Sequence, residues 1–146
     1  MSVTDTTVPT QSESLSFDFD LQHSAAKVWR ALTDPTLLAD WLLPVVGLKL
    51  EPGADFAFKT QAYPGWDGTV NCRFLEIEAQ RKLSYKWVAG DIDTVVTFTL
   101  TPLASGTRLS IVQSGFKPDQ KKNFGGARYG WKMMGGKLVD LLGRIS

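Results

Sequence analysis

The last thirty residues constrain the fold of this chain most strongly. Apolar and small residues recur there at alternating spacings of three and four: Phe124, Ala127, Trp131, Met134, Leu138, Leu141 and Ile145. This spacing places them on one face of a helix. From Asp55 to Phe116 the chain instead alternates apolar and polar residues at period two, which is typical of strands. Such a chain is expected to bury the apolar helix face by laying the helix across a sheet.

Turn and cap residues divide the rest of the chain into elements. A half-buried strand is predicted at 15–21, and Ser24 is a candidate N-cap for a helix that runs to about Thr33. Asp34 and Pro35 then begin a second short helix, which ends before Pro44. Short turns separate the later strands, so we predict an α+β fold with an antiparallel sheet of about six to seven strands. Residues 1–13 are predicted to form a disordered tail and residues 14–146 a single domain.

Charge and hydropathy argue against some classes of partner. The formal net charge is +1, which does not favour nucleic-acid binding. The short basic cluster of Lys117, Lys121 and Lys122 is interpreted as a solvated helix start. No apolar run approaches the roughly 20 residues needed to cross a membrane, and the N-terminus lacks the features of a secretion signal. A cytoplasmic location is therefore expected, with neither a nucleic acid nor a membrane as partner.

The residues that usually carry catalysis or bind metals are scarce. The chain has one cysteine, Cys72, and one histidine, His23, so an internal disulfide is excluded and a metal site lacks ligands. We interpret Cys72 as a buried structural thiol and His23 as a surface residue. Asp91 and Asp93 are two apart and could suggest an acid–base pair, but a solvated hairpin explains them more simply. No cofactor, metal or catalytic residue is predicted.

Several short strings resemble a known family. They are AKVWRALTDP at 26–35, WLLP at 41–44, LSYKW at 83–87, GTRL at 106–109, QSGF at 113–116 and GW at 130–131. In them the chain resembles the START-like helix-grip (SRPBCC) superfamily, in the group of homologues of the activator of the heat-shock-protein ATPase. The resemblance implies a curved antiparallel sheet that grips a long C-terminal helix, with a cavity between them. The superfamily includes lipid carriers, hormone receptors, polyketide cyclases and co-chaperones, so the fold does not choose an activity.

Aromatic residues are the candidates for lining that cavity. The predicted ligand-binding set is Trp41, Phe56, Phe58, Tyr85, Trp87, Phe124, Trp131 and Met134. Core packing is the alternative for each of them. Five glycines between Gly125 and Gly136 lower helix stability, which suggests close backbone approach or open space beside this face.

Three functions remain open from the sequence. Binding of a small hydrophobic or amphipathic ligand, by a monomer or homodimer, is the first. The second is an enzyme on the same scaffold, cyclase-like or hydrolase-like, with Tyr85, Arg73 or Asp93 as candidate groups. The third is a chaperone-partner or stress-related interaction module, for which Trp66 on its Gly-rich loop is the residue of interest.

Further polar residues lie near the predicted aromatic positions. They are Asn71, Arg73, Gln113 and Tyr129. We expect them to face solvent, because any that pointed inward would need a hydrogen-bond partner.

Overall fold

One long helix lies against an eight-stranded antiparallel sheet in the computed structural model, which describes residues 3–5, 14–62, 64 and 66–145. The strands are β1 (Val3–Asp5), β2 (Ser14–Leu21), β3 (Val45–Val46), β4 (Asp55–Lys59), β5 (Thr69–Glu78), β6 (Lys82–Ala89), β7 (Ile92–Leu103) and β8 (Gly106–Ser114). The helices are α1 (Ala25–Thr33), α2 (Pro35–Trp41) and α3 (Lys121–Arg144). The sheet order is β1-β2-β8-β7-β6-β5-β4-β3. The predicted α+β fold is confirmed.

The sheet has eight strands where the sequence predicts about six to seven, and the two strands without a sequence signal, β1 and β3, lie at its edges. β1 has three residues and β3 has two, which is too short for a period-two pattern to appear. β1 falls within the segment predicted as a disordered tail and pairs with Phe17–Phe19 of β2. The rest of residues 1–13 lies outside the described residues.

The helix starts predicted from capping chemistry are confirmed. The Ser24 hydroxyl accepts a hydrogen bond from the backbone N–H of Lys27 at 3.2 Å, at the start of α1. One Asp34 carboxylate oxygen accepts from the N–H groups of Thr36 and Leu37, and Pro35 occupies the first turn of α2. These two caps turn the chain sharply between α1 and α2, and both helices pack on α3.

Alternation along the strands divides the sheet into an inner and an outer face. On β2, Leu15, Phe17, Phe19 and Leu21 are buried, and the residues between them are more exposed. The register pairs Phe19 with Leu109 and Phe17 with Ile111 of β8, so the apolar side chains of neighbouring strands share the inner face. That face meets α1, α2 and α3 and forms one core.

Helix α3 buries Trp131, Gly135, Leu138, Leu141 and Leu142, close to the predicted stripe. The helix begins at Lys121, after a turn in which the N–H of Gln120 donates to the carbonyl of Lys117 at 2.9 Å. No helix of the described residues combines the length and apolarity needed to cross a membrane.

The glycines of α3 have two different roles. A Cβ at Gly135 would overlap the ring of Phe19, so this glycine permits close packing of helix on strand. A Cβ at Gly125, Gly126 or Gly136 would meet no atom within 4 Å, and all three residues are exposed. The glycine pattern suggested open space between helix and sheet, but these three glycines do not create it. They lie on the exposed side of the helix.

Candidate functional site

Seven aromatic side chains form a continuous layer between the sheet and α3. This aromatic layer consists of Phe56, Phe58, Phe74, Tyr85, Trp87, Phe98 and Trp131. Phe56 stacks on Phe74 with ring centroids 4.5 Å apart and meets Tyr85 edge to face at 5.1 Å. Trp87 and Phe98 contact Trp131 at 5.8 and 6.1 Å, which links the strands to the helix. Alternation brings the strand members to the inner face, since neighbours two apart share a side.

Five of the eight predicted site residues belong to this layer: Phe56, Phe58, Tyr85, Trp87 and Trp131. Trp41 is buried on α2, where its indole N–H donates to the carbonyl of Ala31 at 2.8 Å. Phe124 is half-buried and makes its ring contact with Phe116, at 5.4 Å. Met134 is half-buried one turn after Trp131.

Phe74 and Phe98 belong to the layer but not to the predicted site, although the sequence carries a signal for both. Each lies on a strand two residues from another buried apolar residue, Phe74 after Cys72 and Phe98 after Val96. The period-two pattern therefore placed them on the inner face with the residues that were chosen.

A short chain of hydrogen bonds fixes the indole of Trp131. Its Nε1–H donates to Oε1 of Gln113 at 2.7 Å, and Nε2 of Gln113 donates to the Thr94 hydroxyl at 3.0 Å. That hydroxyl donates to the backbone carbonyl of Trp87 at 2.9 Å. The chain satisfies three buried polar side chains and ties α3 to three strands.

The inward position of Gln113 contradicts its expected solvent-facing orientation. It is 2% exposed, and its place two residues after Ile111 puts it on the inner face of β8. Thr94 was not anticipated as an interior polar residue. It shares the inner face with Val96 by the same alternation.

Tyr85 and Cys72 are the ionisable groups of the interior near the aromatic layer. Burial, with a smaller contribution from Cys72, raises the pKa of the Tyr85 phenol well above its usual value. Burial raises the pKa of the Cys72 thiol to about 12, and the thiol contacts the carbonyl of Val70 at 3.7 Å. Both groups are neutral near pH 7. The interpretation of Cys72 as a buried structural thiol agrees with this environment.

Arg73 and Asp93, the other candidate catalytic groups, lie on the outer face of the sheet. The Arg73 guanidinium makes two bonds with the Asp55 carboxylate, at 2.7 and 3.2 Å. Asp93 forms an ion pair with Lys86. Neither group joins Tyr85 in an interior acid–base pair.

Asn71 and Tyr129 are exposed, as expected. His23 is half-buried, and its Nδ1 lies 3.1 Å from Nζ of Lys27. Burial and the charge of Lys27 lower the pKa of His23. No group of three or more His, Cys, Asp or Glu side chains in the described part of the chain could hold a metal ion.

A cleft of about 610 Å³ lies where α3 begins. This hairpin cleft is lined by Trp66, Ala89, Gly90, Asp91, Ile92, Lys117, Asp119, Gln120 and Asn123. Gln120 connects two of its walls, because its Oε1 accepts from the N–H of Lys117 at 2.9 Å and its Nε2 donates to the carbonyl of Asp91 at 2.8 Å. None of the eight predicted ligand-binding residues lines it.

A smaller depression of about 400 Å³ lies over β4, β5 and β6. It is lined by Asp55, Phe56, Asn71, Cys72, Arg73, Lys86 and Val88. Most of these are outer-face residues, and Arg73 and Lys86 are already paired with carboxylates.

Comparison with known proteins assigns the chain to a group. The family model for "Activator of Hsp90 ATPase homolog 1-like protein" matches residues 22–143. A solved structure of a protein from Mesorhizobium loti is 38% identical, with a TM-score of 0.83, and the match covers 91% of this chain and 98% of that one. A protein from Chromobacterium violaceum is 27% identical, with a TM-score of 0.72 over 89% of this chain and 97% of its own. A comparison with curated proteins gave no match.

Proposed function

The chain belongs to the family of Activator of Hsp90 ATPase homolog 1-like proteins, and from that membership we propose that it binds a small hydrophobic or amphipathic molecule between the sheet and α3. The observation that carries the proposal is the aromatic layer. Ligand sites are concave and mostly apolar, with a few polar groups that fix orientation. Aromatic rings on four strands provide the apolar part of such a surface, and those of Trp87 and Phe98 meet Trp131.

The hydrogen bonds of Trp131 support a preorganised site. Because Oε1 of Gln113 accepts its N–H and Thr94 holds Gln113 in place, the indole is held in one orientation without any contribution from a ligand. Binding to an oriented ring avoids part of the ordering cost of association. Phe56, Phe58, Tyr85, Trp87 and Trp131 then supply apolar contact.

The other three predicted site residues take positions around this centre in the proposal. Trp41 closes one end from α2, and Phe124 and Met134 contribute from the half-buried side of α3. The hairpin cleft, which lies beside the first turn of α3, is the proposed entrance from solvent. We assign no catalytic residue. The binding unit is the single domain at 14–146, acting in the cytoplasm as a monomer or homodimer.

Native mass spectrometry of the chain purified from its own host tests the proposal. We expect a bound small molecule that is released on denaturation. The variant Trp87→Phe should lower its occupancy, because Trp87 contacts both Phe58 and Trp131. Trp29→Phe is the matched control, since Trp29 is equally half-buried but lies on α1 outside the aromatic layer. Equal occupancy in both variants, or a protein without any bound molecule, would contradict the proposal.

A chaperone partner is the second candidate function, and one surface observation favours it. Tyr129 and Met133 are 69% and 49% exposed and lie one turn apart on α3. Trp66, the residue singled out from the sequence, is half-buried, and its indole N–H donates to the carbonyl of Thr69 at 3.0 Å. The exposed pair on α3 is therefore the better apolar contact surface.

An ATPase assay with a purified chaperone of the Hsp90 class from the same host tests this second function. We expect stimulation by the wild-type chain and its loss in the double variant Tyr129→Ser, Met133→Ser. Trp66→Ala should retain stimulation. No stimulation by the wild type would rule this candidate out.

A further inference from the structure

Buried polar side chains in the described part of the structure almost all have hydrogen-bond partners. The buried members are Thr69, Ser84, Thr94, Thr107, Gln113 and Gln120, together with the indole N–H groups of Trp41 and Trp131. Each of them takes part in at least one hydrogen bond. This is the usual condition of a protein interior, where an unpaired polar group costs free energy.

Tyr85 is the exception. Its side chain is only 2% exposed, and its ring contacts Phe56, Phe58, Phe74 and Phe98. Its hydroxyl makes no hydrogen bond with any described residue. Every fully enclosed side-chain nitrogen or oxygen in that part of the chain has a partner. The Tyr85 oxygen is therefore not fully enclosed: it is unpaired and retains a small accessible area.

We propose that the Tyr85 hydroxyl is the polar anchor of the ligand site, where it donates a hydrogen bond to an uncharged oxygen of the bound molecule. This inference rests on the function proposed above and names the ligand class: an amphipathic ketone, aldehyde, ester or ether. Its apolar body contacts the rings that surround Tyr85. The anchor gives the otherwise apolar surface one directional contact.

The surroundings of Tyr85 determine both the donor role and the absence of charge on the ligand. The phenol is neutral at physiological pH and so keeps its proton for donation. The rings in contact with it carry no charge, and the nearby Cys72 thiol is neutral. A carboxylate placed there would be a buried anion with no cation to offset it, which is unfavourable. A carbonyl or ether oxygen needs only the single donor.

Matched probes separate the polar anchor from apolar binding. The probes are acetophenone and 2-acetylnaphthalene, each with its isopropenyl counterpart, in which a methylene group replaces the carbonyl oxygen. Binding is followed by the change in tryptophan fluorescence, since Trp87 and Trp131 belong to the same aromatic layer. We expect the wild type to bind at least one carbonyl probe about three- to tenfold more tightly than its counterpart, as for one added hydrogen bond.

The variant Tyr85→Phe should abolish this preference, so that the two members of each probe pair bind with equal affinity. Its urea midpoint should match that of the wild type, because no protein hydrogen bond is lost. Tyr129→Phe is the control: it removes a hydroxyl from an exposed tyrosine and should retain the preference.

The outcomes distinguish the two proposals. A carbonyl preference that persists in Tyr85→Phe, or equal wild-type affinity for both members of each pair, would overturn the anchor while ligand binding stands. No binding of any probe to the wild type would count against the proposed function and the anchor together.

Discussion

The two halves of helix α3 differ in how firmly the rest of the protein holds them. In the second half, Gly135, Leu138, Leu141 and Leu142 are buried, and the backbone lies directly on Phe19. In the first half, side chains from 121 to 130 are half-buried or exposed, and no side chain caps the helix start. The helix thus begins weakly beside the hairpin cleft and ends firmly in the core.

This difference shows how one helix can combine stability with access. Lysines at 117, 121 and 122 place positive charge at the positive end of the helix dipole, which is unfavourable. Gly125 and Gly126 remove further helix propensity without a packing role. The proposed route to the aromatic layer lies beside the half of α3 that costs least to displace. The second half supplies the apolar burial that holds the helix in place.

The largest effect should come from truncating one apolar side chain in each half. We expect Leu138→Ala to lower the free energy of unfolding by about 2–5 kcal/mol, because Leu138 is fully buried and a cavity would remain. Phe124→Ala should cost about 1–2 kcal/mol, since Phe124 is already half-exposed to water. Urea denaturation measures both. Equal losses would remove the distinction between the halves.

Alanine at two glycines should give effects of opposite sign. Gly135→Ala forces a methyl group against the Phe19 ring and should destabilise the protein by about 1–3 kcal/mol. Gly126→Ala meets open space in a helical backbone and should stabilise it by about 0.5–1 kcal/mol. The difference between the two halves of α3 predicts that Gly126→Ala also slows binding of the carbonyl probes. Stopped-flow fluorescence can measure this rate. Destabilisation by Gly126→Ala would show that the first half is more tightly packed than described.

An ion-pair cluster ties the first half of α3 to the sheet edge. The Asp5 carboxylate on β1 lies 2.6 Å from Nε of Arg128 and 3.4 Å from Nζ of Lys132. Asp5→Asn should lower stability by about 1 kcal/mol, a value typical of partly exposed pairs. Amide hydrogen exchange should accelerate over 121–130 and remain unchanged over 135–144. Salt at 1 M should reduce the difference in stability between Asp5→Asn and the wild type, since screening weakens such ion pairs.

The smallest effect should follow from His23, which precedes α1, one of the helices packed on α3. Burial, and then the charge of Lys27, lower the pKa of His23 below its ordinary value of 6.5. As the pH falls, the unfolded chain therefore protonates His23 at a higher pH than the folded chain does. Neutral His23 favours the folded state fully above pH 6.5, and this stabilisation is lost as the pH falls through the lowered pKa. His23→Gln should make the free energy of unfolding depend less on pH between pH 7 and 5. An unchanged pH dependence would contradict this assignment.

The sequence predicted the elements of this fold well because their signals are local. Ser24, Asp34 and Pro35 encode helix boundaries through short-range chemistry, and all three act as expected. The α3 stripe is a strong pattern because seven residues repeat it. The edge strands β1 and β3 were not predicted. They are defined by pairing with a neighbouring strand, and their own few residues carry little sequence pattern.

The site was harder to predict because it depends on which face of each strand points inward. Phe74 and Phe98 lie on other strands than Phe56 and Tyr85, and the pairing register brings all four to the inner face: Phe74 lies opposite Tyr85, and Phe98 opposite Leu83. Gln113 was placed outward because an amide is costly inside, and its partners Trp131 and Thr94 come from distant parts of the chain. Such a pairing across tertiary structure has no local sequence signal.

The lengths of β1 and β3 also bear on how copies of this protein behave when concentrated. An exposed strand edge offers unpaired backbone groups to another chain, and long flat edges promote aggregation. Here the sheet ends at one side in three residues and at the other in two. Neither edge strand offers a second molecule more than a few backbone hydrogen bonds. Among the described residues, short terminal strands of this kind disfavour edge-to-edge growth.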